Sequence, residues 1–300
     1  MGGLESKARP VTWLALVLNL LLAGFKLFAG WVAHSQAVIA DGAHSLSDLT
    51  TDVALLIGMQ YWDRPSDRSH PYGHRRIETL ITALIGVFLA VTGLGLGYRA
   101  IATITEPHTQ SVGSLAMVAA LVSIVIKEGL FHVTVAVAKR AKSSALLANA
   151  WHHRSDAFSS LPTVLAVGAA MLSPNLWYLD HLGAIVVCIF ILQAAWRIAL
   201  PAASKLVDTA PPSDLQESLQ REIHAFPRVR TAHAVRTRYI GAGVALDFHI
   251  HVDPEITVHE GHDIAEGLKS RLLAAFPDVV DVVIHIEPAP EEPLPNSGHF

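Results

Sequence analysis

The sequence predicts a polytopic α-helical membrane protein with six transmembrane helices and a C-terminal cytoplasmic α/β domain of order α-β-β-α-β. Hydrophobic residues make up 51% of the chain and charged residues only 16%, against roughly 25% charged residues in an average soluble protein. Six apolar stretches are each long enough to cross about 30 Å of hydrocarbon at about 1.5 Å per residue. After residue 208 the composition becomes that of a soluble domain, which divides the chain into 1–208, 209–288 and a tail at 289–300.

The six predicted spans are separated by short connections. They cover residues 11–33, 38–62, 77–104, 112–138, 144–172 and 177–203. The first span exceeds the apolar region of about 7–15 residues in a cleaved signal peptide, so we expect it to be retained. Lysines and arginines precede span one, occupy the loops after spans two and four, and follow span six, whereas the other three connections contain none. The positive-inside rule therefore predicts that both termini are cytoplasmic, and the short loops favour a bacterial inner membrane.

The soluble region shows alternating helix and strand patterns. Residues 213–226 predict an amphipathic helix, 229–241 and 244–253 predict two strands, 258–276 predict a second helix, and 278–288 predict a third strand. This order predicts a small sheet with both helices on one face. The Pro-rich tail at 289–300 is typical of a disordered segment.

Composition also limits the chemistry. A net charge of -4 gives no basic field, so a nucleic-acid partner is excluded. The single cysteine, Cys188, rules out thiolate clusters, whereas the chain has 17 histidines. A metal site would have to use imidazole and carboxylate ligands, which suit zinc, iron(II), cobalt, nickel or manganese.

Span two carries an unusual stripe of ionisable residues in "ADGAHSLSDLTTD". Asp41, His44, Asp48 and Asp52 fall at helical spacing on one face, although a single Asp at the bilayer centre costs about 2.5–3.5 kcal/mol. Compensation must therefore come from within the helix bundle.

Span five offers the compensating partner in "ANAWHHRSDAFSS". His152 and Asp156 repeat the four-residue spacing of His44 and Asp48. Two such pairs supply two imidazoles and two carboxylates, a tetrahedral set whose charge balances a divalent cation. The alternative is a buried hydrogen-bond network or interhelical ion pairs. The roles of His153, Asp41 and Asp52 stay open, the two aspartates as steps on the ion path or as structural groups.

Two further groups of residues could bind metal on the cytoplasmic side. Asp67, His70 and His74 lie within "DRSHPYGH" after span two, a loop that could wrap an ion or could simply be solvated. In the soluble domain, His249 and His251 point to one side of a strand, and His285 and Glu287 do likewise on another strand. A histidine cluster on one face of the sheet is therefore predicted, with exposed and unoccupied histidines as the alternative.

Three segments together, "SQAVIADGAHSLSD", "DRSHPYGHRRIE" and "ANAWHHRSD", resemble the cation diffusion facilitator family of divalent metal exporters. The resemblance covers all six spans and the C-terminal domain. It implies proton-coupled efflux, a homodimer, a metallochaperone-like cytoplasmic fold, and a transport site built from His44, Asp48, His152 and Asp156.

The resemblance also implies roles for residues outside the spans. It suggests a loop site like that of Asp67, His70 and His74, and a charge interlock between Arg76 and Asp208. Regulatory metal at the dimer interface would be bound by His233, His249, His262, His285 and Glu287. Family members carry Asp where this chain has Glu287, which changes the reach of that ligand but not its charge.

The sequence therefore predicts a secondary transporter and not an enzyme. Its cargo would be a divalent cation, Zn²⁺ first, with Fe²⁺, Co²⁺, Cd²⁺ and Mn²⁺ as alternatives, exchanged for protons at a site between spans two and five. Divalent ions would be both substrate and regulator. Two other hypotheses stay open: a membrane metal sensor without flux, and a membrane metalloenzyme that uses the same ligands.

Overall fold

The computed structural model describes residues 2–47, 49, 64–105, 113–141, 144–173 and 176–290; side chains are described for all of these except 2–12, 140, 141, 144–146, 148, 149 and 152. The described residues form two compact units, one from 1–56 and 84–199 and the other from 57–83 and 200–300. The tail predicted at 289–300 lies outside the described residues from position 291 onward.

The first unit is a bundle of helices. Its helices, together with the parts of α3 and α7 that extend into the second unit, are α1 (Gly2–Val32), α2 (36–47), α3 (Arg76–Ala102), α4 (Ser114–Ala141), α5 (Ser144–Ser159), α6 (Leu161–Leu172) and α7 (Tyr178–Leu206). The bundle core consists largely of alanine, with Val38, Val167 and Ile191 fully buried. Large apolar side chains such as Trp31, Val125 and Leu172 lie on the outside, as expected of helices that face lipid rather than water.

Within the described ranges, five segments are long and apolar enough to cross a membrane: Trp13–Val32, Arg76–Ala102, Ser114–Lys139, His153–Leu172 and Tyr178–Leu206. They coincide with predicted spans one, three, four, five and six. Predicted span two, 38–62, is helical from its start to residue 47 and otherwise lies almost entirely outside the described residues.

Helices α1 and α2 pack as an antiparallel pair with almost no space between their backbones. A Cβ added to Gly30 would lie 2.8 Å from the Ile39 nitrogen, and one added to Gly42 would lie 3.0 Å from the Leu27 nitrogen. Small residues permit such close approach of membrane helices. The contact sets the register that brings Lys26 of α1 beside Asp41 of α2.

One end of the bundle gathers the termini of several helices around Asp180, a fully buried residue at the start of α7. Its carboxylate accepts hydrogen bonds from the Ser35 hydroxyl (2.5 Å) and the Gln36 amide (2.6 Å), and so caps the N-terminus of α2. The Gly113 amide, just before α4, donates to the Ala33 carbonyl, just after α1. Helices α2, α4 and α7 therefore begin at this end, and α1 finishes there.

Predicted span five, 144–172, is interrupted in the structure. Helix α5 stops at Ser159 and α6 starts at Leu161, because Pro162 lacks the N–H that a continuous helix would need and its ring would collide with the preceding turn. Next to the break, the Ser159 Oγ donates to the Asp156 carbonyl at 2.8 Å. The interruption leaves the side chain of Ser160 at the junction between the two helices.

The soluble domain follows the predicted order α-β-β-α-β. Its elements are α8 (Ser213–His224), β1 (Thr231–Ile240), β2 (Gly243–Val252), α9 (Val258–Ala275) and β3 (Val279–Pro288). Strand β2 lies in the centre, antiparallel to β1 and parallel to β3. Alternate residues of β2, Leu246, Phe248 and Ile250, pack against α8 and α9, so the residues between them face the other side of the sheet.

The turn between β1 and β2 packs against the first turn of α3. Gly241 has φ +63°, and an added Cβ would lie 2.7 Å from the Arg75 carbonyl oxygen. The next amide, that of Ala242, donates to Glu78 Oε2 at 2.9 Å. Only glycine meets both the backbone and the packing requirement at position 241.

Candidate metal transport site

A buried ion pair joins α1, α2 and the junction between α5 and α6. Lys26 Nζ lies 2.7 Å from Asp41 Oδ2, and neither side chain is measurably exposed. Lys26 also donates to the hydroxyls of Ser45 (3.2 Å) and Ser160 (3.1 Å), and the Ser160 hydroxyl donates to Asp41 Oδ1 at 2.9 Å. Asp41 therefore has an ion-pair partner at one carboxylate oxygen and a hydrogen-bond donor at the other, which favours a structural role over a place on the ion path.

The contact between Asp41 and Ser160 fixes where the predicted ligands lie. His44 stands one turn after Asp41, and Asp156 stands one turn before Ser160. Helices α2 and α5 run in opposite directions, because α2 begins at the end of the bundle where α4 begins, and α5 begins where α4 finishes. His44 and Asp156 are therefore displaced from the contact in the same direction along the bundle, and both are buried.

The other two predicted ligands are His152 and Asp48. His152 lies on α5, but its side chain is among those not described, and Asp48 lies outside the described residues, as does Asp52. His153, whose role the sequence left open, is buried at 2% exposure on α5.

A second buried lysine approaches the site from α4. Lys127 is 2% exposed, and its Nζ lies 3.4 Å from Asp156 Oδ2. Sequence patterns predicted no role for Lys26 or Lys127. The signal was present, since each is an ionisable residue inside an apolar span, a feature that is functional by default in a membrane protein.

The loop between α2 and α3 brings Asp67, His70 and His74 together. The two imidazoles each lie 3.5 Å from the Asp67 carboxylate, and their ring centroids are 4.3 Å apart. The Asp67 carboxylate also accepts from the Ser69 hydroxyl (2.7 Å), the His70 amide (2.7 Å) and the Ser69 amide (2.8 Å). These hydrogen bonds, that of the Ser69 hydroxyl first, lower the pKa of Asp67 to about 2.

In the soluble domain, four histidines surround the carboxylate of Glu287 on the sheet face opposite α8 and α9. Its oxygens lie 2.8 Å from His249, 3.3 Å from His251, 3.4 Å from His233 and 3.5 Å from His285. Two ligands of one tetrahedral zinc ion are about 3.4 Å apart. The geometry divides into two groups that share Glu287, one with His233 and His251 and one with His249 and His285.

A β-bulge in β1 sets the position of His233. His233 pairs with His249, but the next aligned pair is Arg236 with Asp247, and Ala234 between them adopts φ +50°. The extra residue keeps His233 and Arg236 on the same face of the sheet. Arg236 then pairs with Asp247 at 2.6 Å, which leaves Glu287 as the carboxylate nearest to the histidines.

The charge state of Glu287 suits cation binding. Desolvation raises the pKa of this carboxyl, but the hydrogen bond from His249 and the nearby His233 and His285 outweigh that effect and lower the pKa. His251, which the sequence placed on this face but not in the ligand set, completes the cluster.

His262 does not join the cluster among the described residues. It is exposed on α9, which packs against the opposite face of the sheet. The resemblance alone suggested His262 as a ligand, and no alternation pattern linked it to the other histidines.

Arg76 and Asp208, the two residues of the predicted charge interlock, are in contact. Arg76 Nη2 lies 2.6 Å from Asp208 Oδ1, with both side chains about half exposed, and Arg238 Nε lies 4.0 Å from the same oxygen. Asp208 adopts φ +61° immediately after α7.

Comparisons with known proteins agree with this architecture. Residues 12–207 match the family described as the cation efflux transmembrane domain, and residues 211–289 match the cation efflux protein cytoplasmic domain. The chain is 35% identical to metal tolerance protein C1 of Arabidopsis thaliana over 92% of its own length and 61% of that protein. It is 30% identical to the manganese efflux system protein MneP of Bacillus subtilis over 96% of its length and 98% of MneP.

Solved structures resemble the soluble domain. A crystal structure of the cytosolic domain of a cation diffusion facilitator family protein shares 29% identity, covers 25% of this chain and 89% of its own, and gives a TM-score of 0.24.

Proposed function

Because the chain belongs to the cation diffusion facilitator family of divalent metal transporters, we propose that it exports its cargo in exchange for protons at a site between α2 and α5. His44 of α2 and Asp48, which follows it in the sequence, would supply two ligands, and His152 and Asp156 of α5 would supply the other two. Family membership identifies a transporter and sets aside the metalloenzyme hypothesis.

The contact between Asp41 and Ser160 is the observation that carries this proposal. It joins α2 to the end of α5 one turn away from His44 and Asp156, and the antiparallel course of the helices keeps the following turns side by side. In the sequence, Asp48 follows His44 by four residues and His152 precedes Asp156 by four. All four donors are thereby expected to face a common cavity.

The ligand types explain proton exchange. Imidazole must be neutral and carboxylate ionised to bind a divalent ion, so metal and protons compete for the same four groups. Histidine titrates near neutral pH and therefore suits this exchange. Access to the site from alternate sides of the membrane completes a transport cycle.

Zinc is the first candidate cargo, because two imidazoles and two carboxylates suit tetrahedral Zn²⁺. Manganese is the second candidate, and it is favoured by the identity shared with MneP, whose name describes manganese efflux. A competition series with both ions decides between them.

The soluble domain would act as a homodimeric regulator. Glu287 and its four histidines fit a pair of bound cations that share one carboxylate, with ligand atoms of each group within 4.8 Å of one another. The loop of Asp67, His70 and His74 offers a further site of the same chemistry. Metal on the soluble domains would bias transport only as far as the two conformations bind it differently.

The distribution of basic residues supports cytoplasmic N- and C-termini in a multi-pass protein, with a bacterial inner membrane as the proposed location. In that orientation, the loop site and the soluble domain sample the cytoplasmic metal concentration.

Zinc uptake into inverted vesicles, with and without a pH gradient, tests the function. We expect uptake that the gradient accelerates in the wild type and that Asp48→Ala abolishes, whereas the exposed change Asp214→Ala leaves it intact. Undiminished zinc uptake by Asp48→Ala would reject the assigned site. Metal binding without any flux in the wild type would favour the sensor hypothesis.

A further inference from the structure

Lys127 places its side-chain amino group next to a proposed metal ligand. It lies on α4, which packs along α5, and its side chain is 2% exposed. Its Nζ approaches Asp156 Oδ2 to 3.4 Å, and the Asp156 side chain is itself 9% exposed. A buried ammonium is unfavourable unless a carboxylate compensates it, so Asp156 stabilises Lys127 as much as Lys127 stabilises Asp156.

The two buried lysines differ in how firmly they are held. Lys26 contacts one carboxylate and two hydroxyls, all within 3.2 Å. Lys127 approaches its carboxylate at the longer distance of 3.4 Å, and it stands about one helical turn after the buried Ser123 on α4. The geometry of Lys26 is that of a fixed structural pair, whereas that of Lys127 suits a cation that can be displaced.

The charges of these residues oppose the binding of a metal ion while Lys127 is paired with Asp156. The pair of Lys26 and Asp41 is neutral by itself, and so is the pair of Lys127 and Asp156. A divalent ion bound by Asp156 would bring two further positive charges close to the Lys127 ammonium, at a separation where like charges repel strongly in a medium of low dielectric constant. A bound metal ion and the Lys127 ammonium therefore compete for the Asp156 carboxylate, and each weakens the interaction of the other with it.

We infer that Lys127 is an internal counter-cation of the transport site, which neutralises Asp156 when no metal is bound and which the incoming metal must displace. The inference rests on the proposed function of Asp156. It makes Lys127 a positioning residue that lowers the affinity for metal and speeds its release, since the ammonium takes the place of the departing ion. The apparent dissociation constant of the metal equals its intrinsic value divided by the fraction of time that the site is free of the competitor.

Zinc transport by the full chain in proteoliposomes tests this inference through its two kinetic parameters. Lys127→Met keeps the length of the side chain and removes the charge. We expect its KM to fall about tenfold, as for a site freed from a competitor that holds it about nine-tenths of the time, and its maximal rate to fall several-fold. Lys127→Arg, which restores the charge, should return both parameters toward wild type. Lys139→Met, the same change at an exposed position of α4, should alter neither.

Two results would overturn the inference. One is a Lys127→Met protein whose KM and maximal rate match those of Lys139→Met. The other is a higher KM that Lys127→Arg shares, since this would show that the lysine acts through packing. A wild type that moves no metal would instead reject the proposed function, and the two failures are thereby distinguished.

A stability measurement covers the case in which Lys127→Met folds poorly. Removal of the ammonium deprives the buried Asp156 carboxylate of this ion-pair partner, so the double variant Lys127→Met/Asp156→Asn should regain the thermal unfolding midpoint of the wild type without metal. A double variant that melts no higher than Lys127→Met would contradict the pairing of these two charges.

Discussion

Lys26 Nζ lies 2.7 Å from Asp41 Oδ2, and both side chains are buried where three helices of the bundle meet. The removal of one member of such a pair leaves an uncompensated charge, which typically costs about 3–5 kcal/mol. We therefore expect Lys26→Met to lower the thermal unfolding midpoint of the detergent-purified full chain substantially. The double variant Lys26→Met/Asp41→Asn should recover most of the loss, and a Lys26→Met protein as stable as wild type would show that the pair contributes little.

Glu287 should control both halves of the histidine cluster. Glu287→Gln removes the carboxylate that the two groups share, so we expect the full chain to lose metal from both, whereas His251→Asn should affect only the group of His233 and His251. Equilibrium dialysis with elemental analysis measures the bound metal. His259→Asn, an exposed change on α9, serves as the control. Equal losses for Glu287→Gln and His251→Asn would argue against a shared carboxylate.

The loop site should lose metal on acidification while Asp67 is still ionised. The pKa of Asp67 is lowered from 3.8 to about 2, so the stability that its ionised form gives the folded loop is fully present above about pH 4 and is lost as the pH falls through about 2. Metal release by competition with protons at imidazole ligands is in general expected between about pH 5 and 8, well above this range.

The variant Asp67→Asn separates these two groups. It should bind Zn²⁺ more weakly than the wild type at every pH but release it with an unchanged pH midpoint. Binding is followed by zinc titration of the full chain in a Glu287→Gln background, which removes the contribution of the soluble domain. A midpoint below about pH 4 in the wild type would show that the carboxylate, and not the histidines, governs release.

Gly241→Ala should loosen the contact between the β1–β2 turn and α3. The new Cβ would lie 2.7 Å from the Arg75 carbonyl oxygen at a backbone φ of +63°, a strain of order 1–3 kcal/mol. Hydrogen exchange of the full chain should become faster in β1 and β2. Gly261→Ala, on α9, is the matched control. A Cβ added there would have its nearest neighbour at 3.7 Å, an ordinary contact distance. The substitution should therefore stabilise the helix by about 0.5–1 kcal/mol. Faster exchange in both variants would point to a general effect of the added methyl group.

The exposed pair of Arg76 and Asp208 should contribute little to the stability of the folded chain. Because both side chains are about half exposed, we expect Asp208→Asn to change the free energy of unfolding by only about 0–1 kcal/mol. Asparagine also tolerates the φ of +61° at this position, so the variant tests the charge alone. Thermal unfolding of the full chain measures the change, and a large drop in stability would contradict the small contribution expected of an exposed ion pair.

Sequence patterns predicted the soluble domain closely. Alternation of apolar residues in β2 and the polar starts of α8 and α9 depend on local chemistry, and the structure places all five elements within two residues of the predicted ends. The same alternation placed His249 and His251 on one face. The bulge at Ala234, which aligns His233 with them, depends on pairing between strands, and no local pattern in β1 marks it.

In the membrane domain, length and apolar character predicted the positions of the spans, but not the helix break in span five or the ion pairs between helices. The interruption at Ser160 could have been read from Pro162, two residues further on. Lys26 and Lys127 stand in apolar runs, but their partners Asp41 and Asp156 lie on other helices, and a single sequence does not say which carboxylate each ammonium meets. These contacts arise from helix packing, which depends on positions such as Gly30 and Gly42.

Asp180 gives α2 a fixed pivot. Its carboxylate ties the helix to α7 through Ser35 and Gln36, so any tilt of α2 that keeps these bonds must swing about that end. His44 stands eight residues further along, which is about 12 Å at 1.5 Å per residue. A tilt of about 10° then moves His44 sideways by about 2 Å, comparable to one metal–ligand bond length. A small tilt of α2 about its Asp180 end is therefore enough to bring His44 into or out of coordination distance of a metal ion.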